Sequence, residues 1–344
     1  MRTSSAYSTH SFTGFNLAYT RIQNNPPETL FQQSTTATMR AIGIWSALVS
    51  CAAAELLTPI PSVNDPRCGT PAPSESLRAM AREMRAKEQL QVHQVREIDT
   101  TIIPTVVHVV YANQTEQGGY IPKSQIDAQI DVLNKAWTPH GFSFDLINTT
   151  YTENATWTSV NFDRWPDMKF ALRQGGYSTL NLYTVLLTDG FGLLGIGTPP
   201  SDYEEGSDNF KLDGVVIQAN TLPGGIGPSF VPYPERYTEG DLANHEVGHW
   251  MGLMHTYIES GDYPFTCANG DNDFVDDTPV HLLVITENGP DLNCPPGRDT
   301  CPDLPGLDPT DNFMSSAWQS CWNKFTPGQG LRTRNMWATY RARQ

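Results

Sequence analysis

The eleven residues His245-Glu246-Val247-Gly248-His249-Trp250-Met251-Gly252-Leu253-Met254-His255 decide how the rest of this chain is read. On a helix, His245 and His249 lie one turn apart, so both imidazoles leave the same face and can share one metal ion. Glu246 sits beside the first of them, where its carboxylate cannot easily join the histidines on the ion. It can, however, reach a water there and take its proton. Gly252 comes where a positive φ lets the backbone leave the helix and turn back, which brings His255 round as a third ligand. Three neutral imidazoles with one position kept for water is the arrangement of a catalytic zinc, whereas a structural zinc is closed by a fourth protein ligand. The H-E-x-x-H core alone also falls by chance on surface helices. The glycine and the third histidine at fixed offsets favour a zinc hydrolase.

Working outward, the chain has 344 residues and a formal net charge of −15. That charge argues against nucleic acid or an anionic membrane as partner and suits a soluble secreted protein. Residues 1–38 are rich in Ser, Thr, Asn and Gln with no sustained apolar period, and are read as a disordered extension. Met39-Arg40 then precede an apolar run from Ala41 to Val49 that ends in Ala52-Ala53-Ala54. A basic start, a short apolar stretch and a small-residue exit predict a signal peptide over 39–54, and the run is too short to cross a bilayer. Because signal peptides begin at an N-terminus, translation is expected to start at Met39, with residues 1–38 an over-extended gene model. The sequons at Asn113, Asn148 and Asn154 are candidate glycosylation sites that agree with secretion.

Residues 55–97 differ in composition from the remainder of the chain towards the C-terminus. Prolines mark a loop over 61–71, Leu77, Met80, Ala81 and Met84 recur at helical spacing after a capping Ser74, and basic residues crowd 78–96. The segment is read as a pro-segment, processed near 96–100. The catalytic domain is expected over 98–344. Strands are predicted at Thr101–Val110, Phe142–Ile147, Leu180–Leu187 and Asp213–Gln218, and Pro122 opens a helix with Ile126, Ile130, Leu133 and Trp137 on one face. His108, alone in an apolar strand, reads as a packed residue. Beyond His255, Gly, Pro, Asp and Cys predict an irregular part held by disulfides.

Cys51 would leave with the signal peptide. Of the rest, Cys267, Cys294, Cys301 and Cys321 lie in the irregular part and allow three pairings. The smallest loops favour Cys267–Cys294 and Cys301–Cys321, the second enclosing Met314. Cys68 is left over. It reads either as a thiol outside the disulfides, or in an intermolecular bridge, or as a thiolate that fills the open position on zinc and keeps the enzyme latent.

Asn312-Phe313-Met314-Ser315-Ser316 resembles the Met-turn beneath the metal of metzincins. The stretches Gln125–Asn134, Thr179–Tyr183, Gly270-Asp271, Asp277–Pro279 and Phe325–Gln329 are similar to the pappalysin family, its fungal extracellular metalloproteases included, over roughly residues 98–344. The resemblance implies an α+β (α/β) metzincin fold: a twisted mixed sheet with two long helices, over an irregular disulfide-stapled C-terminal subdomain. It also implies a zinc endopeptidase that takes an extended protein or peptide substrate in a cleft between the subdomains. Met314 would then form the floor under the zinc, and Gly192, Leu193, Leu194 and Gly195 would belong to an edge strand that pairs with substrate, as an unpaired edge can with any extended chain. Pro66-Arg67-Cys68-Gly69-Thr70-Pro71 is similar to the cysteine-switch motif of another metzincin family, which supports the latent role of Cys68. Asp271, Asp273, Asp276, Asp277 and Thr278 form an oxygen-rich loop where pappalysins carry calcium; a solvated acidic loop is the alternative.

Two departures stand out. Ser315 and Ser316 occupy positions where the family commonly has Asp-Tyr, a tyrosine able to support the site. Ala317-Trp318-Gln319-Ser320 lacks the acidic residues of the S1′ wall, which predicts a weaker preference for basic P1′ residues than in ulilysin. The rival readings are a catalytically silent secreted binding protein on this scaffold, which would have no need of Glu246, and a zinc hydrolase of non-peptide substrates. Oligomeric state leaves no trace in the sequence.

Overall fold

The computed structural model describes residues 67–91, 99–158, 165–187, 192–231, 233–259, 266–268, 272–286 and 289–342. The expected extension and signal peptide, and Asp271, lie outside these.

Ser74 caps a helix, accepting from the Leu77 N–H (3.2 Å), and α1 runs over Glu75–Gln91. The β-branched run after it forms β1 (Thr101–Tyr111). Next come α2 (Lys123–Trp137), β2 (Phe142–Glu153), α3 (Trp165–Leu172), β3 (Leu180–Val185), β4 (Gly195–Gly197), α4 (Asp208–Lys211), β5 (Val215–Gln218) and α5 (Asp241–Trp250). β1 to β5 form one mixed sheet in the order β2-β1-β3-β5-β4, parallel except for β4, which runs antiparallel to β5 at the edge. Alternation along the inner strands decides which helix covers which face. Leu182, Val215 and Ile217 share a cluster with Ile126, Leu133 and Trp137 of α2 and Val247 of α5. Tyr183, Val185 and Val216 point the other way, against Trp165 and Met168 of α3.

β2 continues to Glu153, beyond the expected Ile147, because its later residues pair with β1 past a register shift at Thr105/Val106. The edge strand is shorter than the stretch 192–197 that resembles it. Its paired residues are 195–197; Leu193 and Leu194 lead into it with their side chains in the core, and Gly192 precedes it at φ +97°.

The irregular C-terminal part holds a two-stranded pair, β6 (Tyr257–Ile258) with β7 (His281–Leu282), and ends in α6 (Pro327–Met336). Thr326 and Gln329 close a capping box at the start of α6. The disulfides join Cys267 to Cys301 and Cys294 to Cys321, correcting the expected pairing. The expectation rested on loop size, but closure cost grows only with the logarithm of length, so the observed loops cost about 0.5 kcal/mol more to close. So small a difference leaves the choice to packing. Met314 still falls inside a disulfide loop, that of Cys294–Cys321.

Near the C-terminus, Arg341 makes two bonds of 3.1 Å to Asp213, which also accepts from the Trp250 indole (3.1 Å). This fully buried carboxylate fastens the chain end to the C-terminus of α5. Among the described residues, no helix is long and apolar enough to cross a membrane.

Candidate metal centre

Every residue of α5 after Asp241 is buried. The helix lies against β4 so closely that a Cβ on Gly197 would come within 2.1 Å of the Glu246 carbonyl oxygen. Glycine at 197 is therefore what allows α5 to seat. The helix ends at Trp250, and Gly252 takes φ +92°, as its place in the motif predicts.

That turn brings the third histidine to the other two. His249 Nε2 lies 3.2 Å from His245 Nε2, 3.1 Å from His255 Nε2 and 3.4 Å from Cys68 Sγ. Each ring's other nitrogen faces an acceptor: His245 Nδ1 the Phe313 carbonyl (2.6 Å), His249 Nδ1 the Leu253 carbonyl (3.0 Å), and His255 Nδ1 a Glu259 carboxylate oxygen (2.7 Å). A carbonyl or carboxylate can only accept, so each Nδ1 carries the proton and each Nε2 turns a lone pair inward. Burial and the neighbouring His255 and His245 rings hold His249 well below the ordinary histidine pKa, which keeps it neutral.

Three lone pairs and a sulfur facing one point repel unless a cation lies between them. A tetrahedral ion with metal–nitrogen bonds of 2.0–2.1 Å has nitrogen–nitrogen edges of about 3.3 Å, and about 3.6 Å to a thiolate sulfur. The three spacings from His249 agree with both, so the donor set fits a metal ion. Among the described residues, these four are also the group of His, Cys, Asp or Glu ligand atoms that converges, all within 4.8 Å of one another.

Glu246 has no exposed surface. Its Oε2 lies 3.3 Å from the Thr70 hydroxyl and 3.8 Å from Cys68 Sγ. Cys68 reaches the site because its segment adds to the sheet edge. The Leu194 N–H donates to the Arg67 carbonyl (2.7 Å), the Gly69 N–H donates to the Gly195 carbonyl (2.8 Å), and Cys68 pairs parallel with Gly195. Arg67 lines a small pocket beside His245 together with Tyr237, Leu242, Gln319 and Trp322. There it donates to the carbonyls of Ser316 and Ala317. Gln319 is 1% exposed, and among the described residues neither polar atom of its side chain has a hydrogen-bond partner.

Met314 is fully buried beneath Gly248. The residues around it hold the site together: Phe313 orients His245, and the Met314 carbonyl accepts from the Thr256 N–H (3.1 Å). Ser315 accepts from the Trp322 indole (3.1 Å), whose ring stacks on His245 at 5.1 Å. Glu259, Trp322 and Tyr257, which stacks on His255 at 4.7 Å, were not reached by sequence reasoning, and Thr70 was reached only as part of the Pro66–Pro71 motif. The one available signal was Glu259, four residues after His255, and without a helix there that spacing carried no geometry.

Among the described residues, the calcium candidates Asp273, Asp276, Asp277 and Thr278 each have protein partners. The Asp277 carboxylate accepts from the Thr326 hydroxyl (2.6 Å) and the Gly328 N–H (2.8 Å), while Thr278 donates to Asp273 (2.6 Å). Asp276 faces Arg85 and Gln89. Burial pushes Asp273 up to about 7. Of the sequons, Asn113 and Asn148 are exposed and Asn154 is half-buried. His108 is buried between Thr150 (2.8 Å) and Asn181 (3.0 Å), a packed residue as read.

No family model matches the chain. An extracellular metalloprotease of Verticillium alfalfae is 36% identical over 305 residues, covering 89% of this chain and 100% of that protein. The chain belongs to this metalloprotease family. Extracellular metalloprotease 1 of Coccidioides posadasii is 40% identical over 240 residues, 70% of this chain and 78% of that protein. Mature mirolysin of Tannerella forsythia, solved in complex with a cleaved peptide, matches the fold with TM-score 0.54 and 26% identity over 70% of this chain and 93% of that one. The chain is thus a pappalysin-like metzincin, as the Met-turn and zinc motif imply.

Proposed function

We propose that this chain is the latent form of a secreted zinc endopeptidase acting on extended extracellular proteins. In this reading His245, His249 and His255 are the zinc ligands, Glu246 is the general base, and residues 55–97 are a pro-segment whose Cys68 closes the fourth position. The observation that carries it is the commitment of all three Nδ1–H groups to fixed acceptors, which aims three Nε2 lone pairs and one sulfur at a point beside Glu246. Three imidazoles with a thiolate suit zinc better than a harder ion.

Bound there, zinc would polarise the scissile carbonyl and ease deprotonation of the attacking water. Glu246 takes that water's proton and passes it to the leaving amine. The substrate backbone would occupy the edge of β4 that Arg67 to Gly69 now cover, using the Leu194 N–H and the Gly195 carbonyl. Met314 shapes the floor without binding the ion. Secretion, and with it the signal peptide at 39–54, is supported by the relatives' description as extracellular.

Casein cleavage by the purified mature form, with and without chelator and with Glu246→Ala, tests the reading. Loss of the base is expected to lower kcat by about 10²–10⁴ with metal content unchanged. Undiminished activity in Glu246→Ala would defeat the mechanism, and an inert wild type would favour the silent binding protein.

A further inference from the structure

α1 is held to the protease by contacts in which no metal ligand takes part. Leu77 and Ala81, one turn apart on α1, meet Met254 and Phe274 in a small apolar cluster. Further along, Glu88 is 7% exposed and makes two bonds of 2.8 Å to Arg332 of α6, which is 1% exposed. Asn335 also donates to Glu88 (3.2 Å). The same guanidinium reaches the carbonyls of Asp273 (3.2 Å) and Phe274 (2.7 Å) on the protease and of Ala81 (3.3 Å) on α1. At the rim, Arg85 (2.5 Å) and Gln89 (2.9 Å) of α1 both donate to Asp276. Phe274 has φ +57°, a conformation rare for a bulky residue. Its carbonyl is among those that hold Arg332, and its ring packs with Ala81 and lies under Arg82.

We propose that Arg332, Asn335, Phe274, Met254 and Asp276 form a docking seat for one amphipathic helix, α1 of this chain, and that the seat keeps the N-terminal segment bound after the chain is cut between Gln91 and Asp99. The proposal rests on the reading of residues 55–97 as a pro-segment and adds a second anchor to it. Cys68 at the metal and α1 on its seat are joined by a few residues, so they act as a bivalent ligand in which each contact raises the effective concentration of the other. Cutting the chain alone therefore does not activate it; α1 must also leave the seat. Within the docked state, replacing Glu88 strands Arg332 as an uncompensated buried charge, the costly way to break such a pair.

The test uses the full chain with a site-specific protease sequence inserted between Gln91 and Asp99. After cutting, gel filtration follows the N-terminal fragment and a peptide assay follows activity. With wild type, the fragment co-elutes and activity stays low until dilution. With Glu88→Lys, the fragment separates and activity appears on cutting, its affinity weakened by at least about 100-fold. The protease released from Glu88→Lys has the wild-type sequence, so its activity reports release alone. Glu88→Gln serves as the milder variant if the lysine variant fails to fold, and is expected to release the fragment partially. Cys68→Ala is expected to retain a co-eluting fragment. Wild-type fragment that separates as fully as Glu88→Lys, or release by Cys68→Ala alone, would overturn the seat. If uncut Cys68→Ala is no more active than uncut wild type, the latency role of Cys68 fails instead, and co-elution still decides the seat.

Discussion

At the scale of single residues, each histidine of the candidate centre is oriented from outside by an acceptor on its Nδ1. The three histidines and Glu246 could be read from the motif, since a helix and one glycine fix their relation. Their orienting partners could not, because Phe313 meets His245 across 68 residues of sequence and Trp322 meets it only through the fold. The pocket that holds Arg67 bears on selectivity. Among the described residues its wall away from the metal offers carbonyls and the Gln319 amide, and the arginine donates to the carbonyls. Peptide-library profiling is expected to show arginine tolerated at P1′ but not dominant. Gln319→Glu should then raise the arginine preference by about tenfold, the effect of roughly 1.4 kcal/mol from a charge-assisted bond; an unchanged profile would remove Gln319 from the specificity site. His108 offers a second residue-level test. Burial pushes its pKa down to about 4, so its contribution is present above the unfolded value of 6.5 and is lost as pH falls towards 4. At neutral pH, His108→Gln should destabilise by about 1–3 kcal/mol. Denaturant titrations should show this deficit shrinking between pH 6.5 and 4, since only wild type carries that penalty.

At the scale of elements, the close seating of α5 on β4 places the three histidines beside the edge proposed to take substrate. Gly197→Ala puts a methyl group into the Glu246 backbone, so α5 must shift. A loss of about 1–3 kcal/mol is expected from such overpacking, read as a lower unfolding midpoint with activity reduced alongside. A stable, fully active Gly197→Ala enzyme would contradict the packing argument. Periodicity and β-branching were enough to read α1, α2, β1 and β3. They were not enough for β4, where three residues in a glycine-rich run have no alternation to follow, nor for the disulfides, where loop size decides almost nothing. The contact between α1 and α6 was equally hidden, since Glu88 and Arg332 lie 244 residues apart.

At the scale of the whole molecule, the N-terminal segment contacts the rest of the chain at both the histidine cluster and α6, which supports reading the chain as latent. Chelation is expected to lower the unfolding temperature as well as activity, with zinc restoring both, because metal bound only by the folded state stabilises it. Unchanged unfolding in excess chelator would argue against a resident ion. The latent centre itself is tested most directly by X-ray absorption at the zinc edge on the zinc-loaded full chain. Three nitrogen ligands at about 2.0–2.1 Å and one sulfur at about 2.3 Å are predicted, with the sulfur lost once the N-terminal segment is removed. A zinc shell without sulfur in the full chain, or one that keeps its sulfur after removal, would contradict the account.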